Sequence, residues 1–92
     1  MCLAIPTRIE ELKEDNLAIV CIEEFTPENA EAIEQGHEAQ VTRLSISTML
    51  LPEPPQVGDY VMVHAGFAIN RMDKEEAEDS LLLFRQLAAT QV

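Results

Sequence analysis

Ninety-two residues, 47% hydrophobic and 25% charged, make a single globular domain without low-complexity sequence. Seventeen acidic against six basic residues give a net charge of −11, which repels phosphate backbones and argues against nucleic acid as a partner. No apolar run approaches the roughly 20 residues of a membrane span and no secretory leader pattern opens the chain, so a cytoplasmic protein with no membrane association is expected.

In chain order, Leu3 to Leu12 reads as a first strand, with Pro6 confined to an edge or a bulge because proline cannot donate to a ladder. Lys13 to Asn16 is a hairpin turn. Leu17 to Glu24 is apolar on both faces for most of its length, as a central strand covered on two sides would be. Thr26 caps a short helix over Pro27 to Gln35, with proline at the first position and Gly36 where the helix ends. Glu38 to Ile46 resumes as a strand, and Ser47 to Leu51 continues extended or turns before the rigid Pro52-Glu53-Pro54-Pro55 loop.

The turn signal at Val57-Gly58-Asp59 launches Tyr60 to Ala65, expected as the last strand. Alternation puts Val61, Val63 and Ala65 on its core face, and Tyr60, Met62 and His64 on the other. Asp73 then caps a helix running to Ala89, with Glu76 as its capping-box partner. Ala77, Leu81, Phe84 and Ala88 form a stripe, widened by Leu83 and Leu87, that should lie on the barrel. Leu82 falls among Glu75, Glu78, Asp79 and Gln86, and is either a scattered exposed leucine or part of a partner surface. Short strands with one terminal helix predict a mainly β fold: a small OB-like barrel over about 1–70, a C-terminal helix over about 73–89 and a short helix in an inserted segment, all within a single domain spanning 1–92.

Few residues offer chemistry. Cys2 is accessible by position, and its thiolate would be a nucleophile or metal ligand; the alternative is an incidental cysteine. Cys21 lies in the most apolar strand and reads as a small buried hydrophobe, while His37 reads as a solvated loop residue. His64 ends a strand, so it is either a rim histidine bonded to a backbone carbonyl or a ligand or proton-handling group. Cys2, Cys21, His37 and His64 lack the close pairs of a structural zinc site. No triad, phosphate loop or paired-carboxylate motif stands out, so no enzymatic machinery is expected.

Met1-Cys2-Leu3-Ala4-Ile5-Pro6, Val57 to Ile69 and the acidic helix from Asp73 to Leu87 together resemble the HypC/HybG/HupF family of hydrogenase maturation chaperones. The resemblance implies an OB-like barrel with a C-terminal helix, acting on the iron centre of nickel-iron hydrogenases. It implies two partners: a HypD-like iron-sulfur scaffold protein, where an Fe(CN)2CO unit is assembled, and the hydrogenase large-subunit precursor. Residue by residue, it makes Cys2 the transient iron ligand or partner contact and His64 the motif histidine, a further candidate for cofactor contact. Pro6, Gly66 and Phe67 fall on motif positions that shape the site, and no stable cofactor is expected. The other readings are an interaction module that docks on either partner without binding metal, and a thiol redox or zinc protein. Two positions depart from the family pattern: Thr7 stands where glycine usually follows the proline, and Glu24 to Glu38 replaces what is commonly a short hairpin.

Overall fold

The computed structural model describes residues 5–89. Five strands, β1 (Pro6–Lys13), β2 (Leu17–Glu23), β3 (Val41–Ser47), β4 (Tyr60–His64) and β5 (Phe67–Met72), are joined by the helix α1 (Pro27–Glu34) and followed by α2 (Lys74–Ala89). The strands close a barrel in the order β1-β2-β3-β5-β4, with every neighbouring pair antiparallel except β3 and β5. The mainly β, OB-like barrel with two helices is therefore the architecture expected of the sequence. No helix among the described residues is long and apolar enough to cross a membrane.

One strand departs from expectation. Tyr60 to Ala65 is not the last strand, because Ala65 and Gly66 turn the chain back into β5, pairing His64 with Phe67. Both turn residues have positive φ, 53° and 84°, the backbone of a two-residue primed hairpin turn whose twist matches that of its strands. Ala65 consequently leaves the core face assigned to it and is exposed in the turn, while Val61 is fully buried and Val63 packs against the core edge. The barrel interior is filled by Ile9, Ala18, Val20, Ile46, Leu51, Val61 and Ala68. The barrel bends at bulges between Ile9 and Glu11 and between Met62 and Val63.

The segment between β2 and β3 folds as its caps dictate. Thr26 accepts the Asn29 amide at 3.1 Å, Pro27 starts the helix, and Gly36 at φ 85° ends it, with Gly36 N–H bonded to Ile33 and His37 N–H to Ala32. Asn29 is buried and ties both ends of the excursion together: Nδ2 donates to the carbonyl of Glu24 at 2.6 Å, and Oδ1 accepts the Gln40 amide at 2.8 Å.

α2 buries Ala77, Leu81 and Ala88, but the widening of its stripe is not observed. Leu83 and Leu87 are 56% and 52% exposed, as is Leu82 at 52%. The helix packs against α1 as well as β1, with the Phe84 ring tilted at 37° against Phe25, 5.3 Å between centroids, and this seating leaves the Leu83 side outward. Arg85 locks it to the barrel by a two-pronged pair with Glu23, Nε to Oε2 at 2.7 Å and Nη2 to Oε1 at 2.6 Å.

Candidate functional site

Pro6, His64, Gly66 and Phe67 lie toward one end of the β1–β4–β5 sheet. β4 runs toward His64, its last residue, and the Ala65-Gly66 turn returns the chain at Phe67. β1 is antiparallel to β4 with Pro6 opposite Met62 and Thr7 opposite Val61, so the start of β1 lies toward the His64 end. Pro6 is buried and sits at the strand's first position, where a missing amide hydrogen does least harm. Beside it Thr7 is also buried, and its hydroxyl donates to the Val61 carbonyl at 3.1 Å. A side chain at that point is thus accommodated within the β1–β4 pairing.

The hairpin tip is held in place. Gly66 C=O accepts the Ser47 amide at 2.9 Å, and Ser47 pairs with Phe67 in the single contact that closes β3 onto β5. Next along the chain, Thr48 donates through both its amide and its hydroxyl to Asn16 C=O, at 2.7 and 3.1 Å, so the β1–β2 turn flanks the same corner. His64, Gly66 and Phe67 are exposed here, and Ile69, Met49 and Leu50 add further exposed apolar surface. The arrangement is a fixed tip carrying an imidazole and a phenyl ring.

Cys2 lies outside the described residues. Cys21 is buried, as expected of a small hydrophobe, with Sγ directed at the Arg8 carbonyl at 3.7 Å in the cleft beneath α2. His37 is exposed beyond α1, remote in sequence from the hairpin. Among the described residues, no group of three His, Cys, Asp or Glu side chains could hold a metal ion.

Three features were missed in the sequence: the Asn29 clamp, the Glu23–Arg85 pair and the left-handed Ala65. Glu23 and Arg85 are 62 residues apart, and no local pattern links them. Glu23 is the main cause of a raised Arg85 pKa, by hydrogen bonding and by charge, with burial opposing it, so the guanidinium remains charged. The β5 strand did carry a signal, a glycine two residues after a strand end followed by Phe67-Ala68-Ile69.

The profile of the HupF/HypC family matches residues 1–84. The hydrogenase maturation factor HypC of Cupriavidus necator is 38% identical over 91 residues, covering 99% of this chain and 81% of that protein. That of Rhizobium leguminosarum bv. viciae is 38% identical over 88 residues, covering 96% and 93%. The HypC of Helicobacter hepaticus is 32% identical over 87 residues, covering 95% and 81%.

Proposed function

The chain belongs to the HupF/HypC family, and on that footing we propose that it is a chaperone of nickel-iron hydrogenase maturation that helps assemble the Fe(CN)2CO unit and deliver it to the large-subunit precursor. The observation that carries this reading is the family match over residues 1–84, which takes in both the Met1–Pro6 motif and the His64 hairpin. The cargo iron is a substrate in transit, held by the Cys2 thiolate. A soft thiolate suits low-spin iron bearing cyanide and carbon monoxide. Few protein ligands leave coordination positions open for hand-over, and tight retention would defeat delivery.

The register of β1 on β4 supports a role for His64 in the same event. Pro6, the last residue of the motif that contains Cys2, pairs with Met62, two residues before the histidine. His64 then serves as a second, weaker ligand or as a contact to the cyanide groups. Pro6 and Gly66 fix the approach of the two segments, and Phe67 adds apolar contact for a partner. The partners in this scheme are a HypD-like scaffold protein and the large-subunit precursor, and the chain acts as a carrier, not a catalyst.

Exposed Phe67, Ile69 and Met49 beside the hairpin favour a second reading, docking on the same partners without bound metal. Complementation tests the role of the thiol. In a cell lacking its own chaperone of this family, Cys2→Ala should abolish hydrogenase maturation while the purified variant keeps the wild-type melting temperature. Full maturation with Cys2→Ala would refute the carrier role.

A further inference from the structure

β3 has one paired edge and one that is largely bare. In an antiparallel ladder the N–H and C=O of a residue point to the same side, and the side alternates along the strand. Gln40 C=O accepts the Glu24 amide on the β2 side, whereas Ser47 N–H donates to Gly66 on the opposite side. Thr42, Leu44 and Ile46 therefore bond toward β2, and Val41, Arg43 and Ser45 direct their N–H and C=O away from it. β5 meets β3 only at Ser47, so among the described residues no strand faces those outward groups. Thr42 to Ser45 are exposed as well.

Edges of this kind are usually protected by proline, a bulge, or a free lysine. β3 has no proline, its seven residues pair with β2 without a register break, and its one charge, Arg43, is engaged by Glu10 at 2.9 and 3.0 Å. We propose that this edge of β3 accepts an extended, positively charged peptide segment of a partner protein, which adds to the sheet through the backbone of Val41, Arg43 and Ser45. Charge decides the occupant. Arg43 is neutralised by Glu10, so the strand presents no free cation, and the chain as a whole carries −11. A second copy would bring equal charge and is repelled, whereas a lysine- or arginine-bearing strand is attracted. Leu44 shares the face of buried Ile46 yet is 41% exposed, so an apolar residue of the incoming strand has a surface to cover.

This inference does not depend on Cys2, and its test leaves the thiol untouched. Amide hydrogen exchange of the full chain is followed by NMR with a blocked heptapeptide of alternating lysine and valine, and with its counterpart carrying glutamate for lysine. In the free protein the amides of Arg43 and Ser45 should exchange freely while those of Thr42, Leu44 and Ile46 are protected. The lysine peptide should slow Arg43 and Ser45 by at least about tenfold, the gain expected from a few backbone hydrogen bonds. The glutamate peptide should not. Ser45→Pro removes only an outward amide, so it should melt as wild type and lose the peptide's protection of Arg43. The lysine peptide N-methylated at alternate residues should fail on the unaltered chain. Protection in the free protein, equal protection by both peptides, or undiminished protection by the N-methylated peptide would each overturn the proposal.

Discussion

Ala65 occupies a conformation that suits it poorly. A left-handed alanine costs roughly 1 kcal/mol or more relative to residues that favour that region, and here it sits between His64 and Gly66 in the tip held against β3. Asparagine followed by glycine is the preferred pair for this turn. Ala65→Asn should therefore stabilise the fold by about 0.5 to 1 kcal/mol in urea denaturation. Gly66→Ala should destabilise it by about 1 kcal/mol, a purely conformational effect, because no heavy atom lies within 4 Å of where its Cβ would stand. Loss of several kcal/mol at Gly66 would mean a steric clash instead. The histidine was visible in the sequence because it ends an apolar run. The strain beside it was not, since alanine in a strand pattern normally signals core.

At the level of elements, α2 is fastened by one ion pair and one aromatic contact more than by a broad apolar seam. The Glu23 side chain is 9% exposed and that of Arg85 33%, so removing the arginine strands a nearly buried carboxylate. Arg85→Met should cost about 2 to 3 kcal/mol, less than a fully buried pair because the guanidinium is part solvated, and Glu23→Leu in the same chain should recover most of it. Additive losses in the double variant would contradict this account of the pair. The two helices and the caps of α1 were legible because Thr26, Pro27 and Gly36 act on their own backbone. How far the apolar stripe of α2 extends was not. The 3.6-residue period places Leu83 and Leu87 near the stripe, and only the packing of Phe84 on Phe25 decides that Leu83 faces outward.

For the molecule as a whole, strand order follows from short connections and closure, so composition and turn signals were enough to read the OB-like class. The site was legible only through the co-occurrence of the N-terminal and hairpin motifs. The β1–β4 register, which sets Pro6 opposite Met62, is a long-range pairing that no local spacing encodes. The central claim is that this acidic barrel carries an iron unit on its N-terminal thiol. Infrared spectroscopy of the chain purified anaerobically from maturing cells, alone and bound to its HypD-like partner, tests it most directly. Cyanide and carbon monoxide stretching bands should accompany the wild-type chain and disappear in Cys2→Ala at unchanged melting temperature. Undiminished bands in Cys2→Ala, or none in any form containing the chain, would contradict it.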